Sequence, residues 1–409
     1  MNFIRLRKNN LCVEKILAYT LAKKHKTPFY CYSLSQVKNN FYNFKNAFKA
    51  SNPLICFSVK SNSNVALLKE LKKIGSGADV VSAGELLKAK KAGISSKKIV
   101  FSGVGKTKEE IELAIKEDVL LINIESENEA YLINKISKRM KKITSVGIRL
   151  NPNITGKTNK KISTGGKHDK FGLSYIDCVN FCKKIANLKN LKLNALSVHI
   201  GSQINEVKPF QKVLATLNKI ILETKINFKF IDLGGGVGIS YSDNDKKLNL
   251  KQYAKLVSKF VKNKKTQIIF EPGRFIIGNA SILVTKIIYI KKSADKTFVI
   301  LDAGMNNLIR PALYDAHHNI IPLKKNKKKF FGNIEFVGPI CESSDKFLNQ
   351  KSFSKIKEGD YLAITDVGAY GTSLSSNYNT RPTIAEIMVN GSKHTLIRKR
   401  QSLENLINN

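Results

Sequence analysis

No stretch of the sequence stays apolar for the roughly 18 residues that a membrane-spanning helix needs. The amino-terminal segment MNFIRLRKNN is basic, but no apolar stretch ending in small residues follows it, so we expect no signal peptide. Cysteine is scarce, and the 6 cysteines show neither a disulfide framework nor the spacing of metal ligands. We therefore expect a chain without a membrane span or a metal site, located in the reducing cytoplasm.

The sequence is also short of acidic residues. Asp and Glu number 31 against 70 Lys and Arg, which gives a formal net charge of +39. Such a charge can indicate nucleic-acid binding. However, 61 of the basic residues are Lys and only 9 are Arg, whereas nucleic-acid sites rely on the planar, bidentate guanidinium. We expect no nucleic-acid partner and attribute the charge to a general drift toward Lys, Asn and Ile. The alternative, a nucleic-acid-binding protein, predicts salt-sensitive retention on nucleic acid.

The residues that are present suit a large globular protein. A hydrophobic fraction of 42% can bury a sizeable core, and 409 residues imply two domains or one large barrel with an addition. From about residue 35 to 275, short apolar runs alternate with amphipathic helical patterns. Continuous apolar runs are typical of parallel strands covered on both faces. The eight runs are 54–60, 78–82, 98–103, 120–126, 145–151, 195–202, 228–236 and 267–273.

Eight strands alternating with helices predict an α/β fold built on a (β/α)8 TIM-type barrel. An open, doubly wound parallel sheet is the alternative. After residue 278 the helical periodicity fades and turn residues separate short strands, which predicts a C-terminal antiparallel β-domain, with 27–33 as a further candidate strand. The predicted domains are the barrel at 35–278 and a β-sandwich or barrel-like domain formed by 1–34 and 279–409.

Local signals predict where some elements begin and end. Thr107 and Glu110 have the spacing of a capping box at a helix start. Gly75 and Gly93 follow predicted helices, where glycine is favoured as a C-terminal cap. The lysine-rich stretch 324–331 is expected to be an exposed loop.

Polar residues collect where the predicted barrel strands end, which is the end of such barrels that carries the chemistry. Those ends and the turns that follow contribute Lys60, Asp79, Glu85, Arg149, His199, Ser202, Gly234, Gly235, Gly236, Glu271 and Arg274. Each residue alone has an ordinary explanation: a lone histidine is most often a core residue, and a glycine triplet can be a tight turn. Because nearly every strand contributes, the set indicates a binding site.

These residue types suit pyridoxal phosphate. A partly desolvated lysine such as Lys60 can form a Schiff base with the cofactor's aldehyde. Backbone amides of a glycine-rich turn can surround a phosphate, and the flat imidazole of His199 can stack on the ring. Glu271 can keep the pyridine nitrogen protonated, so that the ring accepts electrons when CO2 leaves.

Several long motifs stand in an order and spacing that resemble one family. They are FSVKSN (57–62), GADVVSAGE (77–85), HIGSQ (199–203), DLGGG (232–236), EPGR (271–274), LIRPALYDAHH (308–318), CESSD (341–345) and GAYGTSLSSNYNTRP (368–382). The chain resembles the alanine-racemase-like, barrel-type pyridoxal-phosphate decarboxylases and, within them, the diaminopimelate decarboxylases. The similarity runs over nearly the whole length.

The resemblance implies pyridoxal 5'-phosphate as the cofactor and assigns roles to single residues. Lys60 would bind its aldehyde, His199 would stack on its ring, and Glu271 would contact its nitrogen. Cys341 would be the catalytic general acid, delivered from the partner subunit of a homodimer. The phosphate-binding residues would be Ser202, Gly234, Gly235, Gly236, Arg274 and Tyr370, with Asp79, Glu85 and Gly273 as further residues of the cofactor site.

The resemblance also implies a substrate, meso-2,6-diaminopimelate, converted to L-lysine and CO2 in the last step of lysine biosynthesis. Its distal end needs a cation for the carboxylate, for which Arg310 is suited, and an acceptor for the ammonium, for which Glu342 is suited. The implied substrate-binding set is Arg274, Arg310, Tyr314, Glu342 and Tyr370. A decarboxylase of ornithine, arginine or a carboxylated polyamine is the near alternative, and a non-catalytic pyridoxal-phosphate-binding protein is the more distant one.

Overall fold

The computed structural model describes residues 3–156, 159–242 and 244–408. The chain forms two compact units. The first, here called the β unit, comprises Met1–Asn40, Ser240–Asp245 and Ile276–Asn409, and the second, the barrel unit, comprises Phe41–Ile239 and Lys246–Phe275. The predicted barrel domain at 35–278 contains the short segment 240–245, whereas in the structure this segment groups with the β unit.

The helices and strands follow one another along the chain in three stretches. The first contains β1 (Ile4–Arg7), β2 (Asn10–Val13), β3 (Ile16–Leu17), α1 (Ala18–His25), β4 (Phe29–Ser33) and α2 (Leu34–Ala47). The second contains β5 (Leu54–Ser58), α3 (Val65–Lys73), β6 (Gly77–Val80), α4 (Ala83–Lys91), β7 (Ile99–Phe101), α5 (Lys108–Lys116), β8 (Leu121–Ile124), α6 (Glu127–Arg139), β9 (Thr144–Leu150), α7 (Tyr175–Lys184), β10 (Leu191–Val198), α8 (Val207–Thr224), β11 (Phe230–Asp232), α9 (Leu250–Val261), β12 (Gln267–Phe270) and α10 (Arg274–Ile277). The third contains β13 (Ser281–Ser293), β14 (Lys296–Leu301), α11 (Arg310–Tyr314), β15 (Ile320–Pro322), β16 (Lys329–Val337), β17 (Lys346–Ser354), β18 (Tyr361–Thr365), β19 (Ala385–Asn390), β20 (Lys393–Arg398) and α12 (Leu403–Ile407).

Strands β5 to β12 close into a barrel in the order β10-β11-β12-β5-β6-β7-β8-β9. All neighbouring pairs are parallel, and β5 and β6, for example, pair Ser58 with Asp79. The closed ring confirms the predicted (β/α)8 barrel and excludes the open doubly wound sheet. Parallel closure also brings the carboxyl ends of all eight strands to one end of the barrel.

The barrel is filled by side chains rather than left open. An apolar cluster inside it contains Cys56, Val100, Leu121, Ala195, Phe230 and Ile269. The strands are buried on both faces, as β8 illustrates with every residue from Leu121 to Ile124 buried. The surrounding helices begin and end as predicted: Thr107 and Glu110 form a complete capping box, and Gly75 and Gly93 adopt positive φ angles of 95° and 80°.

The β unit is built on a nine-stranded sheet in the described part of the chain, with the order β17-β16-β14-β13-β4-β19-β20 and with β15 and β18 paired off this path. Most pairs are antiparallel, as predicted, but β14 with β16 and β4 with β19 are parallel. The candidate strand at 27–33 is confirmed as β4, which pairs on its two sides with β13 and β19.

Two details of the β unit differ from the sequence-based expectation. Residues Ala18–His25, inside a segment assigned to a β-domain, form helix α1. The predicted loop at 324–331 is wrong at its end, because β16 begins at Lys329 and pairs with β17. Among the described residues, no helix is both long and apolar enough to cross a bilayer.

Candidate active site

Lys60 lies in a short 3-10 turn directly after β5. Its Nζ donates to Oδ2 of Asp79 on β6 at 2.7 Å, and the same oxygen accepts the Ser58 hydroxyl at 2.6 Å. The Asp79 side chain is fully buried, whereas that of Lys60 is 34% exposed. A buried carboxylate therefore anchors an amine that solutes can reach.

His199 follows β10, and its environment fixes its protonation state. Its Nδ1 accepts a hydrogen bond from the Gly235 amide at 3.1 Å. Burial, and then the charges of Lys60 and Arg149, lower the pKa of His199 well below its usual value. The ring is therefore neutral at pH 7 and carries its proton on Nε2. A neutral, fixed imidazole is suited to lie flat against an aromatic ring.

The glycine triplet after β11 forms a turn that no side chain could occupy. Gly234 and Gly236 have φ angles of 60° and 92°. A Cβ at Gly234 would lie 2.7 Å from the Val198 carbonyl oxygen and 2.8 Å from Nδ1 of His199. A Cβ at Gly235 would meet the Glu271 carbonyl oxygen. The turn therefore requires bare backbone, with amide groups able to approach an anion closely.

Ser202 and Arg274 meet beside this turn, within the barrel unit. The Ser202 hydroxyl oxygen accepts from Arg274 Nε at 3.2 Å and from Nη2 at 3.0 Å. Arg274 begins helix α10 and is only 5% exposed. Gly273, just before it, would collide with Ser61 if it carried a Cβ, which explains the small residue at this position. A buried guanidinium and a hydroxyl next to glycine amides make a site for an anion such as phosphate.

Glu271 follows β12 and is 6% exposed. Its Oε1 has no hydrogen-bond partner among the described residues. Burial, and then the neighbouring charges of Asp232 and Asp79, raise the pKa of the Glu271 carboxyl well above its usual value. A buried, unpartnered carboxyl oxygen is suited to a ligand group that shares a proton with it.

Three polar residues that were not predicted from the sequence also support this site. Glu125, after β8, accepts from Arg149 at 2.6 Å and from the Gly172 amide at 2.8 Å, so Arg149 is held in a buried ion pair. Across the barrel interior, Nδ2 of Asn123 donates a hydrogen bond to Oδ2 of Asp232 at 2.9 Å. The DLGGG motif already contained Asp232, whereas no local signal identifies Glu125 or Asn123, because their partners are far away in the chain.

The other predicted site residues belong to the β unit, where Arg310 is well buried. Arg310 begins α11, is 5% exposed, and lies with Nη1 2.8 Å from Nε2 of His318. Its guanidinium carbon lies 4.9 Å from the centre of the Tyr241 ring. The hydrogen bond to His318 and the Tyr241 ring hold the guanidinium, so Arg310 is a buried residue and not a surface arginine. Tyr314 ends the same helix and is half-buried.

Cys341 and Glu342 lie on an exposed loop whose backbone is held by a buried carboxylate. The anchor is Asp345, 3% exposed, which accepts the amides of Met305 at 2.6 Å and Ile340 at 2.7 Å. The Cys341 amide donates to Asn379 at 3.0 Å. The loop thus presents a thiol and a carboxylate outward on a fixed backbone.

Tyr370, the last predicted residue of the β unit, has a φ of 57°. The next residue, Gly371, has no room for a Cβ because of the Val367 carbonyl oxygen and the Tyr30 hydroxyl. This tight turn holds the half-buried tyrosine in one position.

The barrel-end residues fit pyridoxal phosphate on three structural observations. They are an anchored lysine amine, a glycine turn closed to any Cβ beside a buried arginine, and an unpartnered buried carboxyl oxygen. These match the aldehyde, phosphate and ring nitrogen of the cofactor, respectively.

Comparison with known proteins agrees with this fit. The profile described as "Pyridoxal-dependent decarboxylase, pyridoxal binding domain" matches residues 34–278. The chain belongs to the pyridoxal-dependent decarboxylase family. Its cofactor is therefore pyridoxal phosphate, and the predicted enzyme class is confirmed.

Relatives in this family match nearly the whole chain. Diaminopimelate decarboxylase of Aquifex aeolicus is 39% identical over 99% of this chain and 96% of its own length. The enzyme of the same name from Haemophilus influenzae is 41% identical over 99% of this chain and 98% of its own.

Solved structures of diaminopimelate decarboxylases are similar to this chain over nearly its whole length. The diaminopimelate decarboxylase of Helicobacter pylori, complexed with L-lysine, is 40% identical, with a TM-score of 0.90 over 96% of this chain and 98% of that chain. A diaminopimelate decarboxylase from M. jannaschii, also with L-lysine, is 35% identical with a TM-score of 0.93 over 99% and 96%. A lysine/ornithine decarboxylase from Vibrio vulnificus shares the fold, at 17% identity and a TM-score of 0.79.

Proposed function

We propose that this chain decarboxylates meso-2,6-diaminopimelate at its D-centre and releases L-lysine and CO2, the last step of lysine biosynthesis. The barrel-end site supports the reaction type. The substrate is supported by similarity to diaminopimelate decarboxylases over 99% of the chain, including the β unit that contains Arg310 and Glu342.

The proposed cofactor site is built from residues of the barrel unit. Lys60 would hold the aldehyde end of the cofactor, and the turn of Gly234, Gly235 and Gly236 would hold the phosphate with Ser202 and Arg274. His199, neutral and fixed by the Gly235 amide, would cover the ring face. The buried Oε1 of Glu271 would pair with the ring nitrogen. When bound, pyridoxal phosphate supplies a ring that accepts the electron pair left behind as CO2 departs.

The chain's own groups then handle the protons. Asp79 holds the Lys60 amine in position and stabilises its protonated form while the substrate occupies the site. Cys341 would give its thiol proton to the α-carbon, where the proton takes the place of the carboxylate lost as CO2. Because His199 carries no charge, it would place no positive charge against the protonated ring.

The distal end of the substrate requires a different kind of recognition. Arg310 is fixed by Tyr241 and His318, and its planar donors suit a carboxylate. Glu342 suits the distal ammonium, and Tyr314 and Tyr370 contribute hydroxyl groups. An amine substrate without a distal carboxylate would leave the Arg310 charge unmatched, which disfavours ornithine.

We further propose a homodimer in the cytoplasm. The exposed position of Cys341 and Glu342 on an anchored loop suits residues delivered to the site of a partner subunit. The proposed partners are the small-molecule substrate and a second copy of the chain, without nucleic acid or membrane.

A product assay tests the substrate directly. Purified protein is incubated with meso-diaminopimelate or with ornithine, and CO2 and the amine products are quantified. We expect CO2 and L-lysine from the first compound only. Release of CO2 from ornithine and not from diaminopimelate would contradict the proposal. Arg310→Lys serves as a matched variant, because it keeps the charge but loses the bidentate plane, and it should weaken diaminopimelate turnover while leaving the cofactor bound.

Covalent trapping tests the cofactor site. Borohydride reduction of the yellow protein should fix the cofactor to Lys60, which mass spectrometry of peptides can identify. Label on any other lysine would contradict the assignment. Lys88, which follows Glu85 on α4 and contacts Ser63, provides a nearby reference lysine that should stay unlabelled.

A further inference from the structure

Asp232 is fully buried at the end of β11 and makes more hydrogen bonds than its neighbour Glu271. Its Oδ1 accepts the Gly234 amide at 2.9 Å. Its Oδ2 accepts Nδ2 of Asn123 at 2.9 Å and the Ser197 hydroxyl at 3.0 Å. Three donors thus stabilise the ionised form of Asp232, whereas Oε1 of Glu271 has no partner among the described residues.

The two carboxyl groups act on each other. Asp232 ends β11, Glu271 follows the neighbouring β12, and the Glu271 amide donates to the Gly234 carbonyl at 2.7 Å. The Asp232 charge helps to raise the pKa of Glu271. After burial and Asp232, the charge of Asp79 on β6 also raises the pKa of Glu271, and the charge of Lys60 after β5 lowers it. Burial, and then the charge of Glu271, raise the pKa of Cys56 on β5. Burial raises the pKa of Asp232 as well, but the hydrogen bonds that Asp232 accepts lower it, so the charge of the pair lies on Asp232 and the proton on Glu271.

We propose that Asp232 is a positioning residue for the cofactor site: it fixes the glycine turn through the Gly234 amide and places a second negative charge behind Glu271, which strengthens the hold of Glu271 on the proton of the ring nitrogen. This inference rests on the proposed function. Its physical basis is that an additional anion inside a low-dielectric barrel favours a nearby cation, here the protonated ring nitrogen.

Asn is a suitable replacement for Asp232. It keeps the oxygen that accepts the Gly234 amide and removes only the charge. The new amide group would face Asn123, whose Oδ1 is buried without a partner among the described residues. Rotation of the Asn123 amide by half a turn would then bring an acceptor to the new donor. Asp232→Ser is a second variant that removes the charge with a smaller side chain.

The experiment follows the ring nitrogen itself in the holoenzyme. Wild-type protein, Asp232→Asn, Asp232→Ser and the control Ser197→Ala are loaded with pyridoxal phosphate labelled with 15N in the ring. The 15N chemical shift is recorded from pH 6 to pH 10, and cofactor affinity is measured in parallel. Ser197→Ala removes one donor to Asp232 and leaves the carboxylate. In this variant the ring nitrogen should therefore lose its proton at the same pH as in the wild-type protein.

We expect the ring nitrogen of both Asp232 variants to lose its proton at a pH lower by about one unit, with cofactor affinity reduced several-fold. Titration of both variants at the wild-type pH would overturn the inference and leave the proposed function intact. Equal shifts in Ser197→Ala would also overturn it, since a general disturbance would then explain the effect. Failure of wild-type protein to bind the labelled cofactor would overturn the proposed function and this inference with it.

Discussion

Asp79 combines two tasks in a single carboxylate. The same oxygen accepts the Lys60 amine and the Ser58 hydroxyl, inside a barrel wall that excludes water. Without that charge, the Lys60 ammonium would lose its compensating anion while it remains partly desolvated.

Asp79→Asn should therefore reduce turnover by on the order of 10- to 100-fold while the cofactor remains bound. Ser58→Ala, which leaves the charge in place, should have a much smaller effect. Steady-state kinetics with absorbance of the bound cofactor measures both quantities. Equal losses in the two variants would indicate that the hydrogen-bond geometry, and not the charge, matters.

Glu85 connects a single residue to the pH dependence of stability. Burial, and then the charge of Asp79, raise the pKa of Glu85 to about 7, against a hydrogen bond from the Val81 amide that lowers it. When the pKa of a carboxyl is higher in the folded chain than in the unfolded chain, the group contributes stability that is fully present at pH values below its pKa in the unfolded chain. That contribution is lost as the pH rises through about 7.

Between pH 6 and pH 8 the wild-type protein should lose about 1 kcal/mol of unfolding free energy through this group. Glu85→Gln should remove that loss. Thermal unfolding of both proteins at a series of pH values measures the difference. The prediction fails if the two pH profiles run parallel.

At the scale of elements, the turn after β11 shows how backbone conformation determines a binding site. Gly234→Ala would place a methyl group against the Val198 carbonyl and His199 at a positive φ. We expect cofactor affinity to fall at least about tenfold, because a strain of 1–2 kcal/mol adds to the displacement of His199. Gly105→Ala is the control, since a Cβ there meets nothing within 4 Å. Fluorescence titration with pyridoxal phosphate compares the variants.

The barrel strands could be predicted because each one is buried on both faces and reads as an apolar run. Polar strand ends then identified Lys60, His199 and Glu271. Long-range pairs could not be predicted in this way: Glu125 shows its role only when β8 and β9 bring it to Arg149. The start of strand β16 was not predicted because it follows a run of lysines, which is typical of a loop. Phe331 within the strand is 77% exposed, so this part of the sequence has no alternation of buried and exposed residues that would indicate a strand.

For the whole molecule, the proposed sharing of sites makes a quantitative prediction. Lys60→Ala and Cys341→Ala homodimers should each be nearly inactive. If the two residues of one site come from different subunits, mixing the variants should restore up to about one quarter of wild-type activity through hybrid dimers with one intact site. Activity after exchange of subunits, with sedimentation to confirm the dimer, measures this. Mixtures that stay inactive despite subunit exchange would place both residues of a site in one chain.

Strand β4, near the amino terminus, pairs with β13 and β19, which lie more than 200 residues further along the chain. A ribosome therefore releases β4 long before either of its neighbours exists, whereas every strand of the barrel has been made by residue 270. Synthesis from the amino end allows the barrel to form first, while β4 lacks both of its partner strands. During that interval the nascent chain exposes an apolar strand edge, which chaperones would be expected to cover.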